Sequence, residues 1–291
     1  MTNYKAVTIH QNILDNTFCK EVSETTASLK HLWKTGVNLK NNNQQRWCIG
    51  TASSYSDHTI GGELPVRIID KVSGLSKPAT FNSPEEHTKS LLGKIEETRL
   101  DSLEILKKHF PNVQPKLEDV TSNILGKPCT FYPDGTHYGI VIQNGYVGED
   151  KGMNWHFDDS ARLYSTALFD VKTIREQYSF TIAIEVPDYA SFLYYPTTLS
   201  EYASAAWKEP PHPCPGHSKT GWQGRCKNLD CPFESGKYGE YETVELHPGT
   251  LALQRGRFYH RAGPSIFKEG QSRITIQFFG SDIGDKILMY R

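Results

Sequence analysis

Near Cys129 the chain changes character, and that change limits the folds open to it. From there onward, the runs THYGIVIQ, ARLYSTALF, YSFTIAIEV, SFLYYP, YETVEL, TLALQ and SRITIQFF are separated by turn-forming residues. These runs are rich in β-branched and aromatic side chains, which suit a pleated, half-buried surface. Seven or more such runs at close spacing predict a sandwich or a barrel. The first part of the chain reads differently. Apolar residues at helical spacing predict a helix beginning at Leu14, with Gly36 as its stop. A second helix is expected over 85–110, where Leu91, Leu92, Ile95, Leu100, Leu103 and Leu106 form a stripe closed by Pro111. A third, short helix is expected over 117–125. Residues 37–84 are punctuated by Gly, Pro, Ser and Asn and read mostly as loop. The expectation is one α+β domain over 1–291, with a mainly helical portion at 1–127 and a β-rich core at 128–291.

An apolar content of 37% over 291 residues is enough for a sizeable core. Lys and Arg total 32 and Asp and Glu 33, giving a net charge of -1. Without a basic field, strong binding to nucleic acid is not expected. There is no apolar run of about 18 residues to cross a membrane. The N-terminal MTNYKAVTIHQN lacks the apolar stretch of a secretory signal. A cytoplasmic protein is expected, with its six cysteines starting as thiols.

The segment Met153-Asn-Trp-His156-Phe-Asp158 sets an imidazole and a carboxylate two residues apart. In a strand such residues share a face, so both could reach one metal ion. His-x-Asp alone is a weak signal. His260 supplies a third donor after the strand TLALQ and before a turn at Ala-Gly-Pro, 104 positions on (260 − 156). Two histidines and one carboxylate make the facial triad of non-haem iron(II) oxygenases, which leaves coordination positions open. Thirteen residues later (273 − 260), Arg273 and Thr275 share a face of SRITIQF. A guanidinium pairs with a carboxylate through two hydrogen bonds, and a hydroxyl adds a donor.

The order His156-x-Asp158, distant His260, then Arg273-x-Thr275 resembles the iron(II)/2-oxoglutarate-dependent dioxygenase superfamily over roughly residues 131–279. The resemblance implies a double-stranded β-helix (jelly-roll) core with supporting N-terminal helices. It implies that His156, Asp158 and His260 hold Fe(II) and carry catalysis. It further implies that Arg273, with Thr275, holds the far carboxylate of 2-oxoglutarate. Tyr138 or Gln143, on the strand before the iron motif, would be the polar residue that touches 2-oxoglutarate in several branches. O2 is the co-substrate. Asp158 stands where halogenases of the superfamily carry a small residue, so hydroxylation or a related oxidation is implied, with release of succinate and CO2. The stretch between the two metal histidines is longer than in compact members, and the excess near 199–239 reads as an insertion.

That insertion carries His212, Cys214, His217, Cys226 and Cys231. Cys-x2-His and Cys-x4-Cys spacings fall within the range of small structural zinc sites, with Cys214, His217, Cys226 and Cys231 as ligands. A Cys226–Cys231 disulfide and a set of unliganded residues are the competing readings. Arg162 and Arg257 lie close in sequence to the metal ligands and are candidates for substrate contact, while His247 reads as a turn residue. The substrate class expected is a small molecule, such as an amino acid or a natural-product intermediate. Action on a protein or nucleic acid, and a non-enzymatic jelly-roll binding module, are the alternatives. Oligomeric state is not legible.

Overall fold

The structure is a computed structural model that describes residues 7–35, 45–50, 67–69, 76–78, 102–132, 138–144, 147–150, 152, 176–195, 240–255 and 260–291. Its strands are β1 (Val7–His10), β2 (Lys34–Thr35), β3 (Gln45–Gly50), β4 (Arg67–Ile69), β5 (Ser76–Pro78), β6 (Cys129–Phe131), β7 (Gly139–Asn144), β8 (Gly148–Asp150), β9 (Glu176–Glu185), β10 (Tyr189–Tyr194), β11 (Glu242–Glu245), β12 (Leu251–Arg255), β13 (His260–Phe267), β14 (Arg273–Asp282) and β15 (Ile287–Tyr290). Its helices are α1 (Asn16–Ser28), α2 (102–109) and α3 (Val113–Leu125).

Two antiparallel sheets face each other. The larger runs β1-β12-β9-β14-β7-β3-β2, with β15 beside β14 and β6 parallel to β15; the smaller runs β11-β10-β13-β8. Strand alternation sorts the larger sheet into two faces. Ile140, Ile142, Phe180, Ile182, Leu251, Leu253, Ile274, Ile276 and Phe278 belong to one buried cluster, which also takes in Leu14, Cys19 and Val22 of the α1 region and Leu106, Val113 and Leu117 of α2 and α3. The rings of Phe180 and Phe278 stack there, 4.5 Å between centroids and 11° between planes. The opposite face meets the smaller sheet, where Val7, Ala183 and Ala252 pack with Phe192, Tyr194 and Leu246. The order of layers is therefore helices, larger sheet, smaller sheet. This is an α+β fold with a jelly-roll core, the fold that the resemblance implies. Among the described residues, no helix is long and apolar enough to cross a membrane.

The helices are set by local chemistry. Asp15 caps α1, its carboxylate accepting from Phe18 N at 2.8 Å. The helix ends at Ser28, short of Gly36. The third helix begins at Val113 rather than 117, because Pro115 falls in its first turn, where its missing N–H costs nothing. It closes at Gly126 in the left-handed conformation (φ 64°). Of the helix expected over 85–110, residues 102–109 are helical and 85–101 lie outside the described residues.

Two expectations need correction. The 1–127 portion is not only helix and loop: β1 pairs with β12, and β3 pairs with β7 along six positions. These strands complete the larger sheet at its two sides; β3 lies within 37–84, as do β4 and β5, which pair with each other in a separate two-stranded sheet. The second correction concerns His260, which does not precede a turn. It opens the eight-residue strand β13, and Gly263-Pro264 forms a bulge inside it. Register with β10 shifts there, between Ala190↔Ser265 and Phe192↔Ala262. A bulge accommodates a proline that a regular central ladder would not. Gly263 is required by contact: a Cβ at that position would lie 2.0 Å from Leu193 Cδ1 and 2.3 Å from Ser191 Oγ.

Candidate active site

β14 carries the first group of site residues. Its odd-numbered positions face the smaller sheet, so Arg273 and Thr275 point between the sheets, each only 5% exposed. Arg273 donates through Nη1 to Ser265 Oγ at 3.1 Å and through Nη2 to the Ser191 carbonyl at 3.4 Å. These bonds tie the guanidinium to β13 and β10 on the far side of the interior. Thr275 Oγ1 accepts from Gln277 Nε2 at 3.2 Å. Gln143 stands directly opposite Arg273 in the β7–β14 ladder, and opposed residues share a face. Gln143 is therefore on the arginine's side of the sheet.

Tyr138 lies on the other side. It belongs with Ile140 and Ile142 in the helix-facing cluster, 1% exposed, with its ring 5.9 Å from that of Phe131 and its hydroxyl donating to the Phe110 carbonyl at 3.5 Å. Burial pushes its phenol well above the ordinary tyrosine range. Of the two polar candidates, Tyr138 before β7 and Gln143 within it, the register brings only Gln143 to the arginine.

His260 enters the same interior from the smaller sheet. It pairs with Tyr194 across β10 and is 5% exposed. Its ring stacks on Phe192, 5.6 Å between centroids at 27°. Phe192 and Tyr194 belong to the inter-sheet cluster, so His260 shares their inward face. The Tyr194 hydroxyl donates to Glu242, and burial, aided by that carboxylate, raises its pKa and keeps it protonated. His260 and Ser265 flank the bulge of β13, and their partners Tyr194 and Ala190 are four positions apart on β10, on the order of 13 Å of strand. An imidazole near one end and an arginine near the other thus border one inter-sheet space.

The arginine end is braced from outside. Glu185 accepts from Ser272 N at 3.3 Å and from Ser23 of α1, so the helix layer holds the turn that leads into Arg273. β8 braces the other side of β13, pairing antiparallel through Asp150↔Ser265. Gly152 (φ +79°) lies so close that a Cβ would come 2.2 Å from the Ala262 carbonyl. The chain therefore leaves β8 heading toward the His260 end of β13.

His156, Asp158, Arg162, Arg257, Cys214, His217, Cys226 and Cys231 lie outside the described residues, as does the 199–239 insertion. Among the described residues no group of three His, Cys, Asp or Glu side chains is placed to hold a metal ion. His247 is a turn residue, its carbonyl accepting from Thr250 N at 3.0 Å. Sequence reasoning missed the Phe192 stack and the two oxygens that Arg273 uses. Phe192 and Ser191 sit in the run SFLYYP, whose alternation marks a strand but not its partners.

No family model matches the chain, and no curated protein does. Solved structures with a similar course of the chain include AviO1 from Streptomyces viridochromogenes Tue57, at 12% identity over 97% of this chain and 92% of that one, with a TM-score of 0.43. The epimerase SnoN in complex with Fe3+, alpha ketoglutarate and nogalamycin RO is similar at 13% identity over 99% and 94%, TM-score 0.43. An N-substituted L-amino acid dioxygenase from Burkholderia ambifaria AMMD is similar at 14% identity over 69% and 76%, TM-score 0.34.

Proposed function

We propose that the protein is an iron(II)- and 2-oxoglutarate-dependent oxygenase that oxidises a C–H bond of a small molecule. The observation that carries the reading is Arg273: a guanidinium buried between the sheets, with Thr275 and Gln143 on its face and His260 on the opposing wall. The donor set fits the cofactors. A buried imidazole beside an aromatic ring suits iron(II), and a fork of N–H donors beside a hydroxyl suits a carboxylate. His156 and Asp158 would complete the metal's ligands with His260. The direction in which β8 hands over the chain supports this.

Bound iron would supply the activation of O2, coupled to decarboxylation of 2-oxoglutarate to succinate and CO2. The protein's part is placement. Arg273 would hold the carboxylate remote from the metal, its orientation fixed by Ser265 and Ser191. Thr275 would donate to the same carboxylate, its hydroxyl already accepting from Gln277. Phe192 would hold the His260 ring at a fixed angle and keep water from one of its faces. Charge attraction in a space from which water is excluded is stronger than in bulk solvent.

The test is succinate formation by the iron-loaded protein, together with iron content after anaerobic dialysis. His260→Ala, His156→Ala and Asp158→Ala are each expected to lose iron and succinate formation. Full iron retention in all three variants would rule the metal assignment out.

A further inference from the structure

Gln254 lies on β12 at the end that leads, through the four residues 256–259, to His260. It alternates with Leu251 and Leu253, which face the helices, and shares the inward face of Ala252. It is 1% exposed. Among the described residues its side-chain nitrogen Nε2 has no hydrogen-bond partner. Its cross-strand neighbours are Val7 on β1, which offers no side-chain acceptor, and Ser179 on β9.

A carboxamide nitrogen carries two donors, and leaving them buried without acceptors is costly. A chain that keeps such a group on the face turned toward the smaller sheet gains from it only when something with an acceptor arrives. That something is not the carboxylate end held by Arg273. Gln254 is level with Ser179, and Ser179 with Phe279, six positions along β14 from Arg273. This is about 20 Å of strand, with two strand spacings to cross as well. It exceeds the reach of a five-carbon diacid.

We infer that the Gln254 carboxamide is a substrate-positioning group, donating a hydrogen bond to a carbonyl, carboxylate or hydroxyl oxygen of the molecule to be oxidised. The inference rests on the proposed oxygenase reading and deepens it. The substrate class it selects is a small molecule that bears an oxygen acceptor. A purely apolar substrate would leave both donors buried and unanswered.

The experiment compares the wild type with Gln254→Met, which keeps length and shape but removes the donors, and Gln254→Glu, which turns donor into acceptor. Ligand-observed NMR would follow a set of small carboxamides, carboxylic acids and alcohols, with and without zinc(II) in place of iron(II) plus 2-oxoglutarate. Acceptor-bearing fragments that bind the wild type are expected to weaken at least tenfold in Gln254→Met, and more in Gln254→Glu for the acids. The Tm of Gln254→Met should equal or exceed that of the wild type, because a desolvated donor has been removed. Equal fragment affinity in all three proteins, or wild-type indifference to every acceptor-bearing fragment, would overturn the assignment. So would a lower Tm in Gln254→Met with unchanged fragment binding, since that marks the amide as structural. Failure of 2-oxoglutarate to bind would instead strike the oxygenase reading, while the fragments would still report on Gln254.

Discussion

Along β14, Ile274, Ile276 and Phe278 face the helices, and Arg273, Thr275 and Gln277 face the smaller sheet. The two rows belong to one strand, and all but the half-buried Gln277 are buried, yet they do different work. The outer row is continuous with the packing of α1, α2 and α3 and has no polar side chain to satisfy. The inner row is polar: Arg273 bonds across to the other sheet, while Gln277 donates to Thr275 within the strand. Folding energy is thus concentrated on one face, which leaves the other free to carry groups that a stability optimum would not choose. A buried arginine is weak as a stabilising device, because its desolvation cost rivals what its bonds return. An isosteric apolar residue in its place is often harmless to the fold.

Substitutions on the two rows should separate these effects. On the outer row, Phe278→Ala removes a ring stacked on Phe180 and packed against Phe131. It should cost about 3–5 kcal/mol of stability, measured by urea denaturation; a loss below about 1 kcal/mol would show that this face does not dominate the fold. On the inner row, Arg273→Met should leave stability within about 1 kcal/mol of the wild type. It should weaken 2-oxoglutarate binding by roughly 30-fold or more, the equivalent of at least about 2 kcal/mol for a truncated buried charge contact. A normal affinity by calorimetry would place the co-substrate elsewhere. Thr275→Val is a finer probe of the same row, with an expected loss of about 1 kcal/mol in 2-oxoglutarate affinity and a Tm close to the wild type's.

The smallest effect expected is at the β1 edge. His10 has its pKa pulled below the ordinary value by burial, and further by the charge of Arg255. The unfolded chain then binds the proton more readily than the folded one. Stability from neutral His10 is complete above the ordinary pKa of 6.5 and is lost as pH falls through the lower folded value. Between pH 7.5 and 5, the stability of His10→Gln should therefore decline less than that of the wild type. Equal slopes in paired denaturation series would remove His10 from the account.

How far the sequence reveals these rows follows from range. Alternation in SRITIQFF is local, so the shared face of Arg273 and Thr275 can be read from the chain directly. The strand character of β7, β9, β10, β11 and β12 is legible for the same reason. β13 is not, because Gly263 and Pro264 look like a turn and only the strands on either side make them a bulge. β3 hides in a polar stretch, where Trp47 and Ile49 alternate too briefly to stand out, and its partner β7 is nearly a hundred residues away. The choice of Gln143 over Tyr138 needs the β7–β14 register, because parity within one strand assigns faces only after one face is known. Gln254 is invisible until three ladders are aligned. In each case the missing information is a long-range pairing.

On the proposed reading, one interior would hold iron(II) at the His260 end and the far carboxylate of 2-oxoglutarate at the Arg273 end. Anaerobic titration of the iron-free protein with iron(II) and 2-oxoglutarate, followed by the visible charge-transfer absorption of the chelate, tests it most directly. The account predicts a band that requires both additions, vanishes in His260→Ala, and in Arg273→Met appears only at much higher 2-oxoglutarate. No band at saturating iron and 2-oxoglutarate in the wild type, or a band unchanged in His260→Ala, would contradict it.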